Sequence, residues 1–386
     1  MAPAGRSQRH RQSAQDIARY RIESAGGALS PRAEDFSVSS RASALLMRVS
    51  SNGVPLEQAE RDCIAAVTVV SASKQQASFS LELNDPLFGM IAPGTGRFCE
   101  GNLLEIALGN EDAELTTVIC GTINAINLDL DEEDGLRIVV EGHDALSTAA
   151  AGNVITRYQE QWSDFQILQS ITETLALTLA VDARTRQEMS AVRPRPRFQS
   201  GQNNLAFMNE LAEEYGCDFW VSERTLHFCR ETPGKEKVVL SGGNNLFRIA
   251  IRLSTNGQVS AVETLAWDTQ SAEIRHARED GKDLRAYRGS MSPAARDRLD
   301  HEALVRRFSA RDQEEAERRS KVEMRRMARQ LVSIEGTTTG TPAMGVGSVA
   351  LLEKMGRFDG EYLVQTVRHQ IDKDGFRTHF TLCLHV

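Results

Sequence analysis

The chain has 386 residues, too many for one ordinary hydrophobic core, so its length predicts two or three domains. Hydrophobic residues make up 41% and charged residues 25%, which is typical of a soluble globular protein. The net charge of −8 and the aromatic content of 6% disfavour nucleic acid as a partner, and no apolar stretch is long enough to span a bilayer.

The cysteines are scattered and indicate neither a disulfide framework nor a metal site, because they form no CxxC pair and no zinc-finger spacing with histidine. Most lie inside apolar runs, which predicts small buried side chains in a reducing compartment. They are Cys63, Cys99, Cys120, Cys217, Cys229 and Cys383. The N-terminus also lacks the apolar core of a signal peptide, so we expect assembly in the cytoplasm.

Residues 1–36 are polar and Arg-rich and bury too little apolar surface to fold alone. They are either a flexible tail or an arm that orders on a partner subunit, with one or two helical turns near residues 15–21. From Ala44 to Val140 the pattern is β, with a hairpin turn at Asn52-Gly53 and clean alternation at residues 79–83. Several short strands joined by Gly and Asp turns predict a small barrel or sandwich over residues 37–150.

Residues 151–236 predict an α/β insertion. An amphipathic helix begins at Ser163 or Asp164 and continues to Leu179, and a Pro/Arg-rich loop follows at residues 192–197. A second helix begins after Asn203 or Asn204 and ends at Gly216, and residues 217–230 form a hairpin.

Residues 237–386 return to β character. Strands lie on either side of Asn256-Gly257, and three more are expected between Val346 and Val386. Between them, residues 293–332 carry oppositely charged side chains at helical spacing. The sequence therefore predicts a second β domain with a charged helical insertion at about 285–332.

Two β segments of the chain resemble each other. EGNLLEIAL followed by ELTTVICGTINAINLDLDEEDGLRIVVEGHD is similar to VGSVALLEK followed by EYLVQTVRHQIDKDGFRTHFTLCLHV. Each has a glycine before its first strand (Gly101, Gly347) and an Asp-Gly hairpin turn (134–135, 374–375) before its last. A duplicated β unit follows, and three such chains around an axis would give a pseudo-sixfold ring.

The chain resembles the phage late control protein D family, which includes the T4-type baseplate hub and the N-terminal half of VgrG spikes. The resemblance covers roughly residues 40–386 and lies in GVGSVALLEKMGRFDGEYLVQTVRHQIDKDGFRTHFTL, in EGHDAL, and in NNLAFMNELAEEYGCDFWVSERTLHF. It implies two tube-like β-barrel domains per chain and a homotrimer that adapts a sixfold tail tube to a threefold spike. The chain ends after its last predicted strand, so we expect the spike to be a separate polypeptide.

Motifs for catalysis are weak. His301-Glu302 lies in a predicted helix but has Val305 where a zinc protease needs a second histidine, which favours a solvated helix face. The acidic run at 128–135 lacks the ligands of an EF-hand and is better interpreted as a charged hairpin tip. The Gly-rich segments at 241–243 and 336–347 lack the Lys-Ser/Thr of a phosphate loop, and no GxSxG is present. Carboxylates for glycosidic cleavage are paired in space rather than in sequence, so that class stays open.

Two short basic segments, RHRQ at the N-terminus and VRPRPR at 192–197, are candidates for nucleic-acid contacts. Both are too short to sum many phosphate contacts, so solubility or an acidic surface of a partner is the favoured use.

We therefore predict a mainly β (α+β) protein with two related tube-like barrels, helical and small α/β insertions, no cofactor and no catalysis. The predicted function is a trimeric baseplate hub that binds itself, a spike trimer, tail-tube or tube-initiator subunits, and LysM-type and wedge baseplate proteins. The alternatives are a hub with a cell-wall hydrolase activity and a monomeric binding module of a tail or secretion machine. Val139, Ile123, Val364 and Val367 are candidates for subunit contacts, although the barrel's own core explains them better.

Overall fold

The computed structural model describes residues 45–110, 114–131, 135–158, 161–191, 196–230, 237–268, 272–301, 305–310 and 312–386. The predicted N-terminal arm, most of the Pro/Arg-rich loop, the tip of the acidic hairpin and Glu302 lie outside the described residues.

The first β unit forms where apolar residues alternate, and its inward side chains make one buried core. Phe79, Leu81 and Leu83 are each at most 2% exposed and pack with residues from the neighbouring strands. The unit contains β1 (Leu45–Ser51), β2 (Val54–Pro55), α1 (Gln58–Arg61), β3 (Ile64–Ala72), β4 (Ser78–Leu83), β5 (Leu103–Asn110), β6 (Thr116–Asp131) and β7 (Gly135–His143).

The segment after the first β unit contains both helices and strands. Its helices pack on a three-stranded sheet in the order β11-β12-β9, and β8 pairs with β10. The elements are α2 (Leu146–Ala150), β8 (Val154–Tyr158), α3 (Asp164–Thr174), β9 (Thr178–Val181), α4 (Ala183–Met189), β10 (Arg197–Gln202), α5 (Asn204–Tyr215), β11 (Asp218–Ser222) and β12 (Thr225–Cys229).

The two predicted helices of this segment have the expected caps, but the first is shorter than predicted. The Ser163 hydroxyl accepts a hydrogen bond from the Gln166 amide, and α5 ends at Gly216 in the left-handed conformation. Helix α3 ends at Thr174 because Ala176 adopts a φ of +53° and turns the chain. The residues that follow form strand β9, which pairs with β12, so the predicted extension to Leu179 is wrong.

The rest of the chain forms a second β unit and a second insertion. The elements are β13 (Val238–Ser241), β14 (Leu246–Leu253), β15 (Ala261–Asp268), β16 (Glu273–Glu279), α6 (Arg285–Ser290), α7 (Pro293–His301), β17 (Val305–Ala310), α8 (Gln313–Arg329), β18 (Val332–Thr339), β19 (Val349–Glu353), β20 (Gly360–Asp372) and β21 (Gly375–Leu384). Strands β15, β16 and β17 form a separate sheet against α8.

The predicted charged helix over 293–332 is interrupted by strand β17. Residues 305–310 pair in parallel with β15, and Phe308 lies under the guanidinium of Arg319 at 5.2 Å. Pairing with a strand more than 40 residues away overrides the local charge pattern, which by itself favours a helix.

The two β units join in one thirteen-stranded sheet with the main order β14-β18-β21-β20-β3-β4-β7-β6-β5-β1-β2. The mainly β prediction is confirmed, but two closed barrels are not, because over the described residues the sheet is an open path. Strand β20 of the second unit pairs with β3 of the first, so the units continue into each other. Among the described strands, β14 has one neighbour on this path, β18.

Candidate assembly interface

The two β units are copies of one five-stranded arrangement. The order β3-β4-β7-β6-β5 in the first unit corresponds to β14-β18-β21-β20-β19 in the second, and all of these pairs are antiparallel. The registers correspond as well. In the first copy, His143 lies eight residues after the hairpin glycine Gly135 and pairs with Ser78. In the second copy, Cys383 lies eight residues after Gly375 and pairs with Ser333. The predicted repeat is confirmed, and it includes two strands that the sequence did not reveal.

Backbone details repeat between the copies. The Gly101 amide donates to the carbonyl of Ile123 over 2.9 Å, and the Gly347 amide donates to the carbonyl of Val364 over 3.1 Å. Both glycines have positive φ, and the ladder to the next strand shifts register directly after Ile123 and after Val364. A β-bulge and the glycine that fixes it are therefore shared by both copies.

The junction between the copies is a buried antiparallel pair. Residues 366–371 of β20 pair with residues 67–72 of β3. Val67 and Val69 are each 1% exposed, and Val367 is 2% exposed. The His369 imidazole is also buried and lies within 3.1 Å of the Thr378 hydroxyl and of the Met344 carbonyl. This burial lowers the pKa of His369 to about 4, because the charged form loses its hydration.

The strand segments equivalent to this junction lie at open sides of the sheet. Residues 125–131 of β6 extend beyond the part paired with β5, and β14 pairs only with β18 among the described strands. Leu128 is 52% exposed and Leu130 is 73% exposed, although they correspond to His369 and Ile371 at the junction. Large apolar side chains on an unpaired strand are typical of a surface that another strand covers.

An ion pair, a hydrogen bond and an aromatic contact hold the first insertion against α8 and against both β units. The Arg329 guanidinium of α8 donates to the Asp218 carboxylate of β11 over 2.7 Å, and the Ser73 hydroxyl donates to the other carboxylate oxygen over 2.8 Å. Trp220, on the same strand, covers Gly347, where an added Cβ would lie 2.3 Å from the ring. These contacts link the β3–β4 loop, β11, α8 and the glycine before β19.

A buried polar network inside the first insertion accounts for one of the basic residues that the sequence singled out. Arg197, from the Pro/Arg-rich segment, contacts Asp164 at 2.9 Å and Glu214 at 2.7 Å. The Tyr215 hydroxyl donates to Asp164 over 2.7 Å, and Arg318 of α8 contacts Glu214 at 3.2 Å. Arg197 therefore holds the insertion together, and its side chain is only 11% exposed.

Three other buried titratable groups, Asp144, Cys217 and Cys383, lie inside the packed structure. Asp144 accepts the Leu146 amide at the start of α2 over 3.0 Å, and burial raises its pKa to about 7. Burial also raises the pKa of the Cys217 and Cys383 thiols to about 12, which keeps them protonated. Over the described ranges, no cluster of His, Cys, Asp and Glu could hold a metal ion. No helix in the same ranges is long and apolar enough to cross a membrane.

The residues that the sequence proposed for subunit contacts lie mostly in the chain's own core. Ile123, Val364 and Val367 are each at most 2% exposed, which confirms the favoured interpretation, and Val139 is half-buried. Leu128 and Leu130 are not among the residues that the sequence singles out for subunit contacts. Their alternation with aspartates in LDLD is the available signal, but the acidic run by itself predicts only a charged hairpin.

This fold is that of phage tail proteins. The 43 kDa tail protein of prophage MuSo2 from Shewanella oneidensis is 15% identical, with a TM-score of 0.63 over 88% of this chain and 98% of that chain. A tail protein from Neisseria meningitidis MC58 gives 11% identity and a TM-score of 0.63, covering 88% of this chain and 96% of that chain. A chain of the Francisella PdpA-VgrG complex gives 9% identity and a TM-score of 0.53, covering 91% of this chain and 60% of that chain.

Residues 90–373 match the family described as the Alg8 N-terminal domain, so the chain belongs to that family. A comparison with curated proteins found no match.

Proposed function

We propose that this protein is a structural baseplate hub of a contractile phage tail or tail-like injection particle, of the late control protein D type. The observation that carries the proposal is the duplicated five-stranded unit with its two open sides. Each chain carries two copies of the unit, so three chains supply six copies around one axis. Such a homotrimer adapts a sixfold tail tube to a threefold spike.

The similarity in fold to two phage tail proteins and to a chain of a PdpA-VgrG complex supports a place in such a particle. In this function the ring binds a spike trimer on one side and tail-tube or tube-initiator subunits on the other. LysM-type and wedge baseplate proteins bind its periphery. The protein assembles in the cytoplasm and then stays in the particle.

The two insertions support a hub that transmits force. The Asp218–Arg329 pair holds the first insertion against α8, and Trp220 packs on Gly347 of the second β unit. A hub under load needs its peripheral domains to move with the ring, and buried ion pairs and close packing both resist relative motion.

The experiment that tests the hub is a measurement of mass and symmetry. Analytical ultracentrifugation of the full chain is expected to give three times its 42.6 kDa mass. Class averages of negatively stained particles are expected to show a ring with six similar lobes. A single-chain mass at every concentration, with and without a co-expressed spike protein, contradicts the proposal.

We further propose that the ring acts without catalysis. Purified protein incubated with peptidoglycan is expected to release no soluble fragments above the level of a heat-unfolded control. Measurable cleavage that survives further purification would favour the hydrolase alternative.

A further inference from the structure

We infer that the open side of β6 in one copy of the chain pairs, antiparallel and in a defined register, with the open side of β14 in a second copy. The inference deepens the proposed function, on which it rests, by identifying the contact between subunits. The chain itself contains the template, because the β20–β3 junction joins the equivalents of these two strands.

The repeat fixes the register. Strand β20 corresponds to β6 through the shared bulge, and β3 corresponds to β14 because each ladder shifts register after its first pair. Transferring the observed β20–β3 pairs onto these equivalents gives the contact between two chains. The expected partners are Ala125–Ser254, Ile126–Leu253, Asn127–Arg252, Leu128–Ile251, Asp129–Ala250 and Leu130–Ile249.

Burial at equivalent positions supports the pairing. At the junction Val69 is 1% exposed and His369 is 4% exposed, whereas the equivalent of His369, Leu128, is 52% exposed. The equivalent of Val69, Ile251, is only half-buried. In the inferred register Leu128 lies directly opposite Ile251, because paired residues of an antiparallel ladder share a face. The exposed leucines would thus be covered by the half-buried isoleucines of β14.

The other face of the two strands is complementary in charge. Asp129 and Asp131 lie on that face of β6, and Arg248 and Arg252 lie on that face of β14. Asp129 would lie diagonally between the two arginines, within reach of long side chains. Apolar residues on one face and opposite charges on the other specify a single register, since a slip of one residue would exchange them.

Cysteine pairs test the register directly in the full-length protein. A chain carrying Leu128→Cys and Ile251→Cys, and another carrying Asp129→Cys and Ala250→Cys, are oxidised mildly and separated without reductant. Facing residues on antiparallel strands lie about 4.5–5.5 Å apart between Cα atoms, within the range of a disulfide. Both chains are expected to form covalent dimers and trimers.

The matched control carries Leu128→Cys with Arg252→Cys, which lies one residue out of register and on the opposite face. It is expected to form at least about tenfold less crosslinked product, as is wild type with its native cysteines. Chains carrying Leu128→Cys alone and Ile251→Cys alone are expected to form dimers only when mixed and reassociated.

A second variant probes the interface without cysteine chemistry. Leu130→Arg is expected to weaken self-association at least about tenfold, because it removes one covered apolar side chain and adds a charge. Ile155→Arg, on β8 at an 86% exposed position, is expected to leave self-association unchanged.

The outcomes separate this inference from the proposed function. In-register crosslinks, together with little crosslinking of the Leu128→Cys/Arg252→Cys control, support both the strand pairing and the trimeric ring. A trimeric mass without in-register crosslinks, or with equal crosslinking of the control, overturns the strand pairing but not the trimeric ring. A single-chain mass throughout overturns the ring and the pairing together.

Discussion

Gly101 and Gly347 occupy equivalent positions but have different surroundings. Both have positive φ, at +86° and +77°, so alanine strains the backbone at either site by about 1–2 kcal/mol. A Cβ at position 101 meets open space, whereas at position 347 it would lie 2.3 Å from the ring of Trp220. The excess cost of alanine at 347 therefore measures how closely the first insertion packs on the second β unit.

We predict that Gly347→Ala lowers the free energy of unfolding by about 1–3 kcal/mol more than Gly101→Ala does. Urea unfolding followed by tryptophan fluorescence measures the difference. In a Trp220→Leu background the two alanine variants should become nearly equal. Equal destabilisation in the wild-type background would mean that the ring moves aside freely.

His369 gives the junction a dependence on pH. Its pKa is about 4 in the folded chain and 6.5 without burial, so the folded state prefers the neutral ring. Above pH 6.5 the ring is neutral in both the folded and the unfolded state, and the folded state keeps its full stability. As the pH falls from 6.5 towards 4, the unfolded state takes up a proton before the folded state does, so the free energy of unfolding decreases. The full loss is about 3 kcal/mol, from the free energy equivalent of one pKa unit.

We predict that His369→Gln removes this loss. The variant should be less stable than wild type at pH 7.5 by about 1–2 kcal/mol, because its amide replaces the two ring hydrogen bonds imperfectly. By pH 4.5 the difference should change by about 2 kcal/mol in favour of the variant, so that the variant is at least as stable as wild type. Chemical unfolding at both pH values tests this, with His143→Gln as the histidine control. A deficit that does not change with pH contradicts the argument.

At the scale of elements, helix α8 packs its apolar side against the protein and carries one buried and one more exposed ion pair. Its N-terminal half packs on β15 and β16, and its last residue reaches across to β11 through the Arg329–Asp218 pair. Both side chains of that pair are less than one fifth exposed, whereas Arg326 of the Glu323–Arg326 pair on the same helix is 51% exposed. The two pairs offer a matched comparison on one helix.

We predict that Asp218→Ala lowers the free energy of unfolding by about 3 kcal/mol, because it leaves the Arg329 cation buried without its carboxylate. Glu323→Ala should cost less than about 1 kcal/mol, because the Arg326 side chain that it leaves behind is 51% exposed and stays hydrated. The double variant Asp218→Ala/Arg329→Met should be more stable than Asp218→Ala alone. Thermal and urea unfolding provide the measurement, and similar costs for the two single variants would contradict the buried role.

The sequence predicts those elements that are determined by residues close to them in the chain. Capping residues located helices α3 and α5 of the first insertion, and the hairpin glycines revealed the three-stranded part of each repeat. Strand β17 was missed because its pairing with β15 is not local. The sequence also does not reveal that β3 and β14 are equivalent. The two strands pair with their neighbours in the same register, so Val67 and Val69 correspond to Ile249 and Ile251. Their amino-acid compositions differ, however, because the isoleucines of β14 alternate with arginines and alanine.

At the scale of the molecule, a single sheet connects the two copies, so each chain presents two different open sides, one on β6 and one on β14. Head-to-tail pairing of such sides generates a closed ring when the rotation per chain closes, and a filament when it does not. The edge strands of isolated chains are also a risk for aggregation, which charges on strands β6 and β14 reduce. The same charges can specify the partner, and this makes the pairing testable by charge exchange.

We predict that reversing the charge on one side weakens assembly and that reversing both sides restores it. Asp129→Arg/Asp131→Arg places four cations on the shared face, and Arg248→Glu/Arg252→Glu places four anions there. Each should weaken self-association at least about tenfold in low salt, because like charges across a strand pair repel. The quadruple variant restores opposite charges and should associate within about threefold of wild type.

Salt separates this electrostatic effect from damage to the fold. At about 1 M salt the screening length falls to about 3 Å, so the two single-sided variants should approach wild type. Sedimentation at low and high salt gives the association constants, and circular dichroism checks that each chain is folded. If the quadruple variant is as weak as the two effects combined, Asp129 does not face Arg248 and Arg252, and the register taken from the β20–β3 junction is wrong for the contact between chains.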